Sequence, residues 1–141
     1  MKVKDIMTSE IYSINKQENI ARAAQIMREA DIGALPVSDG ERIVGVLTDR
    51  DIAIRNVAMQ HNPEIPVEEV MTANIINCSP DTTVEAAADL MAKYQVRRLP
   101  VIENGNLVGM VSLGDLATES RTDEEAGYTL SQVSLDEETK Y

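Results

Sequence analysis

The sequence predicts an α/β (α+β) fold made twice over: two β-α-β-β-α repeats related by a pseudo-twofold and packed sheet to sheet. Three observations predict it. A block of sequence returns at one fixed offset, apolar residues switch between strand-sized runs and helical spacing, and turn residues punctuate those runs at matching places. Val3-Lys4-Asp5-Ile6-Met7-Thr8 comes back as Val67-Glu68-Glu69-Val70-Met71-Thr72, 64 residues later. Without a gap, the same offset pairs Ile11 with Ile75, Ala23-Ala24 with Ala87-Ala88, Met27 with Met91, Leu35-Pro36-Val37 with Leu99-Pro100-Val101, and Asp51 with Asp115. About a quarter of the aligned positions are identical over some fifty residues, which identifies an internal duplication.

Each repeat reads alike. A short opening turn (Val3 to Met7) leads to a short strand around Ile11 to Ile14. Ile20, Ala23, Ala24 and Met27 follow at the spacing of one helix face, and Val84, Ala87, Ala88 and Met91 repeat it behind Thr82-Thr83-Val84-Glu85, a capping-box pattern. Leu35-Pro36-Val37 forms the next strand, Ser38-Asp39-Gly40-Glu41 the turn, Ile43 to Thr48 the last strand, and a closing helix ends the unit. In the second repeat the turn is Glu103-Asn104-Gly105-Asn106, where Asn-Gly signals a hairpin. The first repeat therefore spans 1–60, a linker with two prolines 61–66, the second repeat 67–120 and an acidic C-terminal tail 121–141. Within the last part, Gly127 to Val133 fits a short helix or a strand, and Asp136 to Tyr141 a solvated tail.

Composition narrows the function. The chain has 141 residues, is 43% hydrophobic, and holds four Tyr but no Phe or Trp, so Ile, Leu, Val, Ala and seven Met must fill the core. Without aromatics there is no stacking platform for single-stranded nucleic acid. The net charge of −11 opposes nucleic acid and anionic membranes, although −5 of it lies from Glu119 onward. A single cysteine, Cys78, excludes an intrachain disulfide and gives no metal-ligand spacing, and His61, the one histidine, reads as an exposed linker residue rather than a ligand. The N-terminus lacks the apolar core of a signal peptide and no apolar run reaches the length of a membrane span, so a cytoplasmic protein is expected.

The chemistry concentrates where the last strand meets the closing helix: Gly45-Val46-Leu47-Thr48-Asp49-Arg50-Asp51, and again Gly109-Met110-Val111-Ser112-Leu113-Gly114-Asp115. Glycine lets another group approach the backbone closely. Thr48-x-x-Asp51 and Ser112-x-x-Asp115 fit a helix cap, and equally a hydroxyl and a carboxylate presented to a ligand; the two readings are compatible.

The Met-Thr pairs, the Leu-Pro-Val strands and the Gly-x-x-Thr/Ser-x-x-Asp segments in register resemble the tandem CBS-domain pair, or Bateman module, over nearly the whole chain. The likeness is to stand-alone bacterial CBS-pair proteins, with no room left for an enzyme or transporter domain. It implies regulatory binding of an adenosine-containing ligand (AMP, ADP, ATP or S-adenosylmethionine), no required cofactor, no catalysis, a homodimer, and an unknown protein partner. It also implies two pockets, each drawing on both repeats. The first would use Thr48, Arg50 and Asp51 with Cys78, Ser79, Val96, Arg97 and Arg98; the second Ser112 and Asp115 with Ile14, Asn15, Ile32, Gly33 and Ala34.

Such a ligand asks for a carboxylate to accept from its diol, donors and positive charge for its phosphate, and apolar walls for its base. Arg50, Arg97 and Arg98 set the first pocket apart, since the matching places in the second are Gly114, Gly33 and Ala34. A phosphorylated adenosine is expected at Asp51; the Asp115 pocket is expected to be weaker, empty or suited to an uncharged adenosyl group. Arg97 and Arg98 also fit an ordinary solvated pair, and Cys78 a small buried hydrophobe. A dimerisation module without ligand is the competing function; an enzyme lacks a nucleophile–histidine pair, a metal cluster or a glycine-rich phosphate loop.

Overall fold

The computed structural model describes residues 1–73 and 75–118; the readings for Gly127 to Val133 and for the tail lie outside them. The described residues form two compact units, one of Tyr12–Ile75 and one of Met1–Ile11 together with 76–118. Each unit therefore holds the body of one repeat and the opening turn of the other.

In the Tyr12–Ile75 unit, β1 (Ile14–Asn15) runs parallel to β2 (Ala34–Asp39), with Ile14 opposite Val37. Between them α1 (Ile20–Ala30) starts on Asn19, whose side chain accepts from the Arg22 N–H at 2.8 Å, and stops on Asp31 in the left-handed region. Ile20, Ala23 and Met27 are buried as the spacing predicts. Ala24 is exposed, contrary to expectation, because Ile26 takes the other edge of the apolar stripe and packs against the core. The hairpin of β2 and β3 (Arg42–Thr48) is antiparallel, with one irregularity at Val37/Ser38.

α2 (Asp49–Asp51) follows at once, but the closing helix is not a plain α-helix. Ile52–Val57 is wound as a π-helix, with Ala58 N–H donating to Ala53 C=O at 2.8 Å and His61 N–H to Asn56 C=O at 3.0 Å. The opening turn of the second repeat, the 3₁₀ turn Val67–Glu69, then brings β4 (Thr72–Ala73) antiparallel to β3. Ile14, Ile20, Leu35, Val37, Leu47, Val67 and Val70 form one core, each fully buried aliphatic contributing about 1.5–3 kcal/mol relative to exposure.

The other unit repeats this plan with a plain α-helix at its close and a single bridge, Thr8 to Met110, in place of β4. Its first strand shrinks to a parallel bridge between Cys78 and Val101. The capping box expected at Thr82 and Glu85 does not form: Thr82 Oγ1 accepts from Ser79 N–H at 3.0 Å, and Thr83 caps α3 (Val84–Tyr94) one residue later. β5 (Arg98–Glu103) and β6 (Asn106–Ser112) join through Asn104-Gly105, both at positive φ as a type I′ turn requires, and α4 (Leu113–Thr118) closes the unit.

The opening turns dock through matching bonds. Val3 N–H donates to Thr82 C=O and Lys4 N–H to Pro80 C=O; Val67 N–H donates to Glu18 C=O and Glu68 N–H to Lys16 C=O. The charges are inverted between the two. Lys2 and Lys4 reach Asp81 at 3.4 and 3.3 Å, whereas Glu68 lies 4.0 Å from Lys16, which also pairs with Asp39 at 3.2 Å. Hydrogen bonds from Lys4 and Lys2 hold the Asp81 carboxyl below the usual range.

Behind each turn the Met-Thr pair lies on a strand glycine. A Cβ on Gly45 would stand 2.6 Å from Met71 Sδ and 2.8 Å from Thr72 C=O; one on Gly109 would stand 2.7 Å from Met7 Sδ and 3.0 Å from Thr8 C=O. Met71 is flexible, but a β-strand carbonyl is not. Gly45→Ala and Gly109→Ala are each expected to cost about 1–3 kcal/mol in urea unfolding. Gly114→Ala serves as control: its Cβ meets only Ser112 Oγ at 3.5 Å, and helix propensity predicts a gain of about 0.5–1 kcal/mol. Equal effects at all three glycines would disprove the packing account.

Candidate functional site

Each unit carries one capped corner where its last strand becomes a helix. At the first, Thr48 Oγ1 accepts from the Asp51 N–H at 3.0 Å and Asp51 Oδ2 accepts from the Thr48 N–H at 3.0 Å, a reciprocal box. At the second, Ser112 Oγ accepts from Asp115 N–H at 3.1 Å and Asp115 Oδ2 from Ser112 N–H at 2.8 Å. The capping reading of Thr48-x-x-Asp51 and Ser112-x-x-Asp115 thus holds at both. In each box the carboxylate takes part through one oxygen, Oδ2.

The corners differ in burial and charge. Thr48 and Asp51 are only 4% and 7% exposed. Burial pushes the Asp51 carboxyl above its ordinary value, with Asp49 adding to the push; hydrogen bonds from Thr48 and the guanidinium of Arg55 pull it back. Arg55 Nε lies 3.9 Å from Asp51 Oδ1, while its Nη1 donates to Val70 C=O at 3.4 Å and Met71 C=O at 3.3 Å. Asp115 is half-buried.

The expected site residues gather by unit. Thr48, Arg50 and Asp51 share theirs with Ile14, Asn15, Ile32, Gly33 and Ala34. Ala34 pairs with Thr48 across the hairpin, and Asp49 N–H donates to Gly33 C=O at 2.9 Å. A Cβ on Gly33 would stand 3.1 Å from Asp49 Oδ2, so the glycine leaves room for that carboxylate. Ile14 and Ala34 are buried and Ile32 packs on the core, while Asn15 and Arg50 are exposed. Asn15 Oδ1 accepts from Gln17 N–H, and Arg50 N–H donates to Asp49 Oδ1.

The second unit joins Ser112 and Asp115 with Cys78, Ser79, Val96, Arg97 and Arg98. Arg98 pairs with Ser112, and Leu113 N–H donates to Arg97 C=O at 2.9 Å, the counterpart of the Asp49–Gly33 bond. Val96 is fully buried, Arg97 exposed and Arg98 half-buried. Ser79 is exposed and shares a hydroxyl hydrogen bond with Thr82 at 3.1 Å. Cys78 is a buried free thiol, as expected of a small hydrophobe, and burial pushes it to about 11. The residues that sequence reasoning missed are Asp49 and Arg55. Neither belongs to a repeated motif, since their counterparts 64 residues on are Leu113 and Glu119.

The family model described as "CBS domain" matches residues 3–56 and 67–121. The CBS domain-containing protein YhcV of Bacillus subtilis is 41% identical over 132 residues, 94% of each chain. A crystal structure of hypoxic response protein I with two coordinated zinc ions superposes with a TM-score of 0.78 at 36% identity, covering 84% of this chain and 98% of the other. The CBS domain pair of protein MJ0100 in complex with 5′-methylthioadenosine and S-adenosyl-L-methionine gives 0.76 at 31% identity, covering 84% and 94%. Among the described residues of this chain, no three His, Cys, Asp or Glu side chains gather as a metal site needs, and no helix is long and apolar enough to cross a membrane.

Two outcomes follow from the buried groups. Because the Asp51 carboxyl is raised in the folded state, its ionisation opposes folding as pH rises through that raised value. Asp51→Asn should therefore gain stability on the wild type between about pH 3, where both carry a neutral side chain, and pH 7. Each tenfold loss of acidity on folding is worth about 1.4 kcal/mol of that gain. Thermal melts across the range read it, and a constant difference would refute it. Separately, a thiol-reactive dye at about pH 7.5 should label native Cys78 on the order of 100-fold more slowly than the unfolded chain, whose thiol is exposed and near its ordinary value.

Proposed function

The chain belongs to the CBS-domain family, as a tandem pair, and from that premise we propose that it is a regulatory module binding an adenosine-containing ligand. The observation that carries the reading is the pair of capped corners, at which Asp51 and Asp115 each join the cap through one carboxylate oxygen. A carboxylate so placed can accept from a ribose diol while the neighbouring helix start offers its N–H groups and a hydroxyl to a phosphate. The ligands held by the MJ0100 pair, 5′-methylthioadenosine and S-adenosyl-L-methionine, are of the same adenosyl class and support the reading.

In this reading the Asp51 corner serves a phosphorylated adenosine (AMP, ADP or ATP), with Arg50 supplying charge. The Asp115 corner serves an uncharged adenosyl group or binds weakly. Binding changes the surface offered to a protein partner, so the module transmits ligand state rather than performing catalysis. The protein works as a cytoplasmic homodimer.

Thermal shift and calorimetry with AMP, ATP, S-adenosylmethionine and 5′-methylthioadenosine test this. At 100 times the dissociation constant a ligand should stabilise the protein by about 2.7 kcal/mol. Asp51→Ala should abolish or weaken the AMP response and leave that of 5′-methylthioadenosine, with the reverse for Asp115→Ala. Loss of AMP binding in Asp115→Ala alone would reverse the assignment. Absence of any response to the four compounds would leave a dimerisation module without ligand.

A further inference from the structure

Arg55 stands outside every repeated motif, yet it is the cation that faces Asp51 within the Tyr12–Ile75 unit. Its guanidinium is fixed from two sides. Nη1 donates to the carbonyls of Val70 and Met71, which end the opening turn of the second repeat, and Nε points to Asp51 Oδ1 at 3.9 Å. Asp51 Oδ1 is the oxygen not taken by the Thr48 N–H. The other charged group acting on Asp51 is the Asp49 carboxylate, which opposes its ionisation.

We infer that Arg55 is a positioning residue for Asp51: it aims the outer carboxylate oxygen and ties it to the Val70–Met71 carbonyls. The assignment deepens the reading of Asp51 as diol acceptor and rests on it for its ligand consequence. A planar, permanently charged fork suits this task, because it can hold two carbonyls and still present an N–H to a carboxylate. At 3.9 Å the Nε–Oδ1 contact is longer than a hydrogen bond, so a ligand hydroxyl can reach Oδ1 without first breaking one. The carbonyls that hold Arg55 belong to the segment leading into Met71-Thr72, the pair that lies on Gly45. Asp51 is thereby linked through one side chain to the turn on which β3 packs. In the second repeat the matching position is Glu119, so the Asp115 corner has no counterpart to this arginine at that place in the sequence.

The test compares wild type, Arg55→Gln and Arg55→Lys by carbon-detected titration of the Asp51 carboxyl in ligand-free protein, and by AMP calorimetry at about pH 7.5 and about pH 5. Arg55→Gln should raise the Asp51 titration midpoint. Its AMP affinity should fall on the order of tenfold, and further at the lower pH, because a neutral carboxyl no longer offers two acceptor oxygens. Arg55→Lys should restore the midpoint by its charge and only part of the affinity, lacking the fork. An unmoved Asp51 midpoint in Arg55→Gln overturns the inference whatever AMP does. A raised midpoint in a protein whose wild type ignores AMP sustains the positioning role and sinks the diol reading instead.

Discussion

Gly45 and Gly109 face the same demand: a Met-Thr pair from the other repeat's opening turn must lie against a strand with no room for a Cβ. Met71 Sδ and Thr72 C=O occupy that space over Gly45, and Met7 Sδ and Thr8 C=O occupy it over Gly109. The contact fixes how the turn enters, since Thr8 and Met110 exchange backbone hydrogen bonds at 2.9 and 3.0 Å and Val46 stands opposite Thr72 in the strand pair. From there the chain must pass through β3 or β6 in one register, which sets where Thr48 and Ser112 fall and therefore where each helix can be capped. A one-residue slip would turn every strand side chain to the opposite face.

The exchange of opening turns carries its own charge logic. Repeat one opens with Lys2 and Lys4 and meets Asp81; repeat two opens with Glu68 and meets Lys16. Were each turn to fold back on its own repeat, lysine would meet Lys16 and glutamate would meet Asp81. Pairs this exposed are worth little each, typically below about 1 kcal/mol. Their consistent sign nonetheless separates the observed pairing from its alternative, because the alternative places like charges at both docking loops.

Much of this was legible in the sequence because a duplication displays its own alignment. The offset of 64 residues predicted matching helices, hairpins and capped corners, and the chain forms them. What stayed hidden depended on contacts that periodicity does not encode. The exchange of turns was invisible because Val3 to Thr8 looks, in sequence, like the start of its own repeat. Ala24 and Ala88 occupy equal places, yet one is exposed and the other buried, since Ile26 supplies the bulk in α1. The cap at Thr83 moved by one residue because Ser79 claimed Thr82. No residue type signals the π-helix at Ile52–Val57, and Arg55 was missed because its role comes from the carbonyls of a distant turn. Of the candidate site, the capping halves were readable as bonds; the ligand-facing halves were readable only as resemblance.

The two corners show how a duplicated device diverges. Capping is satisfied locally by Thr48 with Asp51 and by Ser112 with Asp115, so the residues between and around them are free to change. They have changed in charge. Asp49 and Arg50 in one corner stand where Leu113 and Gly114 stand in the other, and Gly33 and Ala34 stand where Arg97 and Arg98 stand. The backbone bonds that these positions make are nevertheless the same, Asp49 to Gly33 and Leu113 to Arg97, both at 2.9 Å. A change confined to side chains on a constant backbone leaves the fold's stability largely alone while altering the field each carboxylate feels. Burial and Asp49 push Asp51 towards its neutral form, and Arg55 opposes them. One repeat thus keeps a buried acid under electrostatic tension beside an arginine, and the other keeps a more open one.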